Sequence, residues 1–164
     1  MALVETLFPS PVGALTLVAS DMGLVAILWE DDDPARVRLT ERERRADHPI
    51  LTQTAQQLTA YFAGNLQIFT VPLDFRGTDF QKQVWAALCT IPFGETRSYG
   101  DIARAIGHPT ASRAVGAANG RNPISIIAPC HRVVGTNGAL TGFAGGVEVK
   151  RWLLDFEQSR GRLL

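Results

Sequence analysis

The 164-residue chain reads as an α+β protein of two lobes, a strand-rich amino-terminal lobe over residues 1–77 and a mostly helical carboxy-terminal lobe over residues 78–164. Three observations predict this. Short β-branched and aliphatic runs alternate with Gly- and Pro-containing turns in the first third, the pattern of a small antiparallel sheet. From Thr78 onward, a hydroxyl residue stands three positions before an amide or a carboxylate ahead of apolar residues at helical intervals, the mark of capped helices. With 46% hydrophobic and 20% charged residues, the chain has enough apolar material to bury a core.

The strands expected are residues 3–8, residues 15–19 after a turn at 11–13, and residues 24–29 after Met22 and Gly23. Residues 34–45 form a charged segment for which a helix and a mobile stretch are both open. Leu51, Ala55, Leu58 and Phe62 recur at helical spacing, His48 stands at the entrance of that helix before Pro49, and Gly64-Asn65 stops it. Residues 71–76 read as the linker. Thr78 and Gln81 then make a capping box for a helix over 79–90, with Phe80, Val84, Leu88 and Ile91 on one side and Cys89 as inert core. Ser98 and Asp101 repeat the box for a short helix through Ile106, closed by Gly107. Pro109 pre-sets the first turn of a helix through Asn119, so that helix, tight turn and helix follow one another as in a helix-turn-helix. A turn around Asn137-Gly138, a glycine-rich loop and a helix over 148–158 complete the lobe. Val149, Trp152, Leu153 and Phe156 are its expected inward face, and Trp29, Trp85 and Trp152 are expected core anchors.

Composition narrows the function classes. No stretch approaches the ~18 apolar residues of a membrane span, and the first residues carry no basic segment leading into an apolar run, so the expectation is a cytoplasmic protein. Two cysteines forty-one positions apart and three histidines, with no Cys-x-x-Cys spacing, give no framework for a metal. The net charge of zero hides a division. Residues 1–77 carry six Arg against ten Asp/Glu, a net of −4, and residues 78–164 carry ten Lys/Arg against six Asp/Glu, a net of +4. A positive excess on the helical half suits contact with a few phosphates.

The strongest chemical signal lies in that half. Pro129-Cys130-His131-Arg132 places a thiol beside an imidazole after an aliphatic run at 124–128. A cysteine nucleophile works as the thiolate, and a free thiol of pKa ~8.5 is little ionised at neutral pH, so a base must assist it. Neighbouring residues do not face each other in regular backbone, which predicts an irregular segment here or a water joining the two groups. The dipeptide alone also fits a buried structural thiol. The helix around 110–119 offers a second signal, in which Ala111, Ser112, Ala114, Gly116, Ala117 and Ala118 surround one long cation, Arg113.

Around these, Ser98-Tyr99-Gly100-Asp101, the Ser112–Ala118 run, Asn119-Gly120-Arg121-Asn122-Pro123, Val133-Val134-Gly135-Thr136-Asn137-Gly138 and Leu140-Thr141-Gly142-Phe143-Ala144-Gly145-Gly146 follow in order. This series resembles the O6-alkylguanine-DNA alkyltransferases of the bacterial single-function type, densely over 78–157. The resemblance implies a ribonuclease H-like amino-terminal lobe and a winged helix-turn-helix-like lobe carrying the active site. It implies double-stranded DNA bearing O6-alkylguanine, and O4-alkylthymine, as the partner, bound through the minor groove by a protein that is monomeric when free, with cooperative binding on DNA left open. The lesion nucleotide is flipped out, and its alkyl group moves once and irreversibly to Cys130 without a cofactor.

On the same grounds His131 takes the thiol proton through a water, Glu157 orients His131, and Asn122 fixes the turn that holds the cysteine segment. Tyr99 pushes on the phosphate and donates to the guanine ring, and Arg113 fills the vacated space. Gly100, Gln81, Arg132, Val133, Thr136, Phe143, Ala144 and Lys150 complete the DNA- and substrate-binding set, the Ala144 amide and the Val133 carbonyl reading the base. Ala128, Phe143 and Ala144 depart from the usual residues, the first being smaller and the other two lacking hydroxyls, which leaves the range of lesions open, bulkier alkyl groups included. Two other readings stand beside this one: a lesion-binding protein of the alkyltransferase-like type, which lacks the cysteine of the motif, and a cysteine hydrolase.

Overall fold

The computed structural model describes residues 2–163. It divides into two compact units, Met1–Arg76 and Gly77–Leu164. In the first, strands β1 (Leu3–Ser10), β2 (Gly13–Ala19) and β3 (Leu24–Leu28) form an antiparallel meander, with Phe8 opposite Leu15 and Leu17 opposite Ile27. The turn joining β1 to β2 is tight because Gly13 takes a positive φ of 110° and the Ser10 hydroxyl donates to the Gly13 carbonyl at 2.6 Å. A fourth strand, β4 (Arg42–Arg44), pairs in parallel with β1, so the sheet is mixed, in the order β3-β2-β1-β4. The charged segment at 34–45 was open to a helix or a mobile stretch, and its end instead forms this exposed edge strand, where Arg42 and Arg44 reach Glu5.

Helix α1 (Pro49–Phe62) is capped by His48, whose Nδ1 accepts from the Ile50 amide at 3.2 Å. It buries Leu51, Thr54, Leu58 and Tyr61. Ala55 and Phe62, expected on that face, are half-buried, because the Thr54 hydroxyl satisfies itself on the Ile50 carbonyl at 2.7 Å and can turn inward. Gly23 lets the chain at Pro72 pass close by, since a Cβ there would sit 2.7 Å from the Pro72 carbonyl oxygen. The neighbouring amide of Leu24 uses that carbonyl at 2.8 Å.

The second unit is built on helices α2 (Asp79–Leu88), α3 (Tyr99–Ala105), α4 (Ser112–Gly120) and α5 (Val147–Leu163). Both capping boxes form, Thr78 with Gln81 and Ser98 with Asp101. Trp85 ties α2 to α4, its indole N–H donating to the Ala118 carbonyl at 2.8 Å, and a Cβ at Gly77 would meet this ring at 2.6 Å. Val84, Trp85, Leu88, Ile102 and Val115 are all buried, each aliphatic side chain contributing roughly 1.5–3 kcal/mol. Gly107, at a φ of 81°, reverses the chain between α3 and α4. Pro109 lies in that turn rather than in the first turn of α4, which starts later at Ser112, because the Ala111 amide closes the turn on the His108 carbonyl.

Two short strands, β5 (Arg97–Ser98) and β6 (Val133–Val134), pair in parallel with Arg97 beside Val133 and Ser98 beside Val134. This register sets the start of α3 against the residues that follow the cysteine. Two expected core residues lie elsewhere. Cys89 is the exposed C-cap of α2 rather than core, although partial burial against its neighbours pushes its thiol up to about 11. Trp152 is 37% exposed and stacks on Phe156 at 5.2 Å, while Lys150, Leu153, Leu154 and Glu157 make the buried stripe of α5.

Candidate active site

The cysteine is held by two successive three-residue turns. The Ile127 amide donates to the Ser125 carbonyl at 2.9 Å around Ile126, whose φ of 74° is a rare value for a β-branched residue and stores of order 1–3 kcal/mol of strain. The Cys130 amide then donates to the Ala128 carbonyl at 2.8 Å around Pro129, at φ −81° and ψ 68°, an inverse γ-turn. Asn122 clamps this loop from both ends. Its Nδ2 donates to the same Ala128 carbonyl at 2.8 Å, and its Oδ1 accepts from the Ile124 amide at 3.1 Å. A 3-10 turn over Cys130–Arg132 leads into β6, so the backbone is irregular here, as expected for a Cys-His pair that must converge.

Cys130 is 4% exposed, and His131 beside it is fully buried. His131 Nε2 lies 2.8 Å from Glu157 Oε2. An ionised carboxylate only accepts, so Nε2 carries the proton and, in the neutral ring, Nδ1 is the lone-pair nitrogen. Nδ1 is buried without a hydrogen-bond partner among the described residues. Burial lowers the His131 pKa, the Glu157 charge and hydrogen bond pull it back up in part, and Arg132 and Lys150 lower it again. The ring is therefore neutral at pH 7, the state of a base. Burial pushes the Glu157 carboxyl up, but His131 and the Arg132 fork more than offset this and hold it well below the usual carboxylate range.

Arg132 supplies the permanent charge in this cluster. Its Nε donates to Glu157 Oε1 at 2.7 Å, Nη2 to Oε2 at 3.0 Å and Nη1 to the Ile91 carbonyl at 2.6 Å, with the guanidinium 5.8 Å from the Phe93 ring centre. Lys150 is equally enclosed, donating from Nζ to the Val133 carbonyl at 2.7 Å. Burial lowers its pKa and the nearby Cys130 sulfur raises it in part. Both cations were expected among the residues that grip DNA or substrate. In the structure each is buried, with donors directed at groups inside the lobe.

The remaining expected residues lie on or near the surface of the same lobe. Tyr99, at the first position of α3, is half-buried and hydrogen-bonds through its hydroxyl to Thr141, and Gly100 follows it. Arg113 is exposed on α4 beside Ala114 and Ala117. Thr136 and Ala144 are exposed and Phe143 is half-buried. Gln81 spends its carbonyl on the Thr78 amide at 3.0 Å, which leaves its NH2 as the group not used by the cap. No group of three or more His, Cys, Asp or Glu side chains able to hold a metal occurs among the described residues.

Residues 79–159 match the family described as 6-O-methylguanine DNA methyltransferase, DNA binding domain, and residues 3–75 match that family's ribonuclease-like domain. The chain belongs to this family. Methylated-DNA--protein-cysteine methyltransferase of Mycobacterium bovis is 53% identical over 153 residues, covering 92% of this chain and 90% of its own. The protein of the same name from Methanosarcina acetivorans is 46% identical over 161 residues, covering 93% and 97%. The crystal structure of Mycobacterium tuberculosis OGT in complex with DNA superposes with a TM-score of 0.86 at 49% identity, over 98% of this chain and 94% of that one. The α+β fold with a ribonuclease-like lobe expected from sequence is thus the fold of this 6-O-methylguanine DNA methyltransferase family member.

Two contributions in its site escaped the sequence reading, namely Arg132 as the partner of Glu157 and Thr141 as the partner of Tyr99. A signal for the first was present. Lys150, Leu153, Leu154 and Glu157 are spaced by three, one and three residues, one stripe of a helix with an ionisable group at each end. Such a stripe calls for an internal cation and anion. Nothing in the sequence marks Thr141.

Proposed function

We propose that this protein repairs DNA by direct reversal, moving the alkyl group of O6-alkylguanine, and of O4-alkylthymine, to Cys130 once per molecule. The observation that carries the reading is the buried imidazole beside the cysteine, with Nε2 on Glu157 and Nδ1 left as an unpaired base. Cys130 Sγ attacks the alkyl carbon, the sulfur–carbon bond forms, and the carbon–oxygen bond breaks with its electron pair on the base. The thiol proton passes through a water to His131 Nδ1, and Glu157 balances the imidazolium that results. A hydrogen bond from Tyr99 to the ring improves guanine as a leaving group. The thioether has no hydrolytic exit, so the protein is consumed, and the chemistry calls for no cofactor.

A base inside a duplex cannot reach a thiol that is 4% exposed, so the lesion nucleotide is flipped out. The exposed small residues Ala114 and Ala117 let α4 approach the minor groove closely, and Arg113 fills the gap left in the stack. Gln81, Gly100, Thr136, Phe143 and the Ala144 amide supply further contacts, and the Val133 carbonyl reads the base. We assign DNA binding and transfer to residues 78–164 and place the protein, which has no helix long and apolar enough to cross a membrane among its described residues, in the cytoplasm with the chromosome.

Incubation with a duplex carrying one O6-methylguanine should add one methyl group per protein molecule, on the peptide containing Cys130. Cys130→Ser should abolish transfer and leave DNA binding largely intact. Repeated turnover without modification of Cys130, or equal loss of transfer and binding in the serine variant, contradicts the proposal. Retention of lesion binding with no transfer by the unaltered protein would favour an alkyltransferase-like binding role.

A further inference from the structure

One hydrogen-bonded chain links three groups of the site that the sequence treats separately. Lys150 Nζ, fully enclosed, donates to the Val133 carbonyl at 2.7 Å and makes a longer contact of 3.5 Å to Thr141 Oγ1. Thr141 Oγ1 in turn is hydrogen-bonded to the Tyr99 hydroxyl. An ammonium has donors only, so the threonine oxygen is the acceptor on the lysine side. Thr141 keeps its own O–H and a second lone pair, so either hydroxyl can be the donor in its bond with Tyr99; where Thr141 donates to the phenol oxygen, the phenol O–H is turned away from it and left for a base. The Tyr99 ring faces Gly116 of α4 across a gap about one methyl group wide. A Cβ built at Gly116 would touch its Cδ1 and Cε1 at 3.8 and 3.9 Å.

With Thr141 as the donor to the phenol, one cation holds both a donor and an acceptor in place. Lys150 grips the Val133 carbonyl directly and the Tyr99 hydroxyl through Thr141, which holds the two base-reading groups at a defined separation before any base arrives. We infer that Thr141 is a positioning residue for alkyl transfer, relaying the orientation imposed by Lys150 so that the Tyr99 hydroxyl is presented as a donor to the everted base. This rests on the transfer reading above. A hydroxyl that must turn from Thr141 to the base would lose part of its benefit in the transition state, whereas a preset one keeps it.

The test is the single-turnover rate of methyl transfer from an O6-methylguanine duplex, with protein in saturating excess. Thr141→Val keeps the shape and removes the hydroxyl, and it should slow transfer about tenfold, the effect of one hydrogen bond. Thr141→Ser restores the hydroxyl and should return the rate to within about twofold of the original. Affinity for the lesion duplex should be unchanged in both. Tyr99→Phe should be slow, and adding Thr141→Val to it should bring no further loss, because the relay then has nothing to orient. Transfer by Thr141→Val at the unaltered rate overturns the inference, as does a fall in the Tyr99→Phe background equal to that in the native one. Absence of any transfer by the unaltered protein, by contrast, is the failure of the transfer reading itself.

Discussion

Arg132 is the residue whose place decides how the site is charged. Glu157 is buried between an imidazole and a guanidinium, and only the guanidinium keeps its charge at every pH of interest. Arg132→Met would leave the carboxylate enclosed with a neutral ring, an uncompensated charge that costs about 3–5 kcal/mol. Urea denaturation at pH 7 measures this, and an unchanged midpoint would show the pair to be dispensable. Acid acts on the same cluster. Burial holds the folded His131 pKa below the value of about 6.5 that it takes in the unfolded chain, so below that pH the unfolded state binds more protons and stability falls. Glu157, also lowered on folding, adds its loss only as pH drops through the unfolded value of about 4.3 and toward the lower folded one. The thermal midpoint is therefore expected to decline from pH 7 to pH 5 and then more steeply. His131→Gln should flatten the upper part of that decline alone, whereas the native transfer rate should fall only at lower pH, where the depressed pKa of the folded ring lets Nδ1 take up a proton.

Helices α4 and α5 show what residue order does and does not reveal about an element. In α4 the small residues leave Ala114, Ala117 and Gly120 on the exposed side with Arg113, while Val115, Ala118 and Asn119 face inward. Ala117→Glu adds bulk and negative charge to that outer face without touching the core. It should lower affinity for duplex DNA by at least about tenfold with stability changed by less than about 0.5 kcal/mol, checked by fluorescence anisotropy and thermal melting. In α5 the inward face misled a reading based on apolarity. Trp152 is exposed and stacks on the half-buried Phe156, while Lys150 and Glu157 are inside, because partners far away in sequence satisfy the lysine and the carboxylate. Cys89 failed for the opposite reason. It follows an apolar helical stripe in sequence, but the helix ends at Leu88 and the thiol falls at the cap.

For the molecule as a whole, the reaction ends with an alkyl group in the place where Cys130 is 4% exposed. Such a pocket has little room to relax, and overpacking typically costs about 1–3 kcal/mol. The alkylated sulfur can also no longer ionise, which removes the interaction that raises the pKa of the buried Lys150. Protein methylated on Cys130 should accordingly melt at a lower temperature than the unreacted protein, measured on separated material by differential scanning fluorimetry. An equal or higher midpoint would show that the site accommodates the group without strain.

Local signals established much of this protein before any coordinates. The turns around Gly13 and Gly107, the two capping boxes and the His48 cap follow from neighbours within three or four residues, so they were legible in sequence. The order of motifs likewise marked Cys130, His131, Asn122 and Glu157, and the structure places His131 on Glu157 and Asn122 on the loop that carries Cys130. Tertiary structure alone decided the rest. The parallel seating of β4, the burial of Lys150 and the union of Arg132 with Glu157, and of Thr141 with Tyr99, each depend on a partner 25 or more positions away, or on a buried carbonyl. A charged side chain is written identically whether it faces water or an enclosed counter-charge, and only the packing that excludes water distinguishes the two.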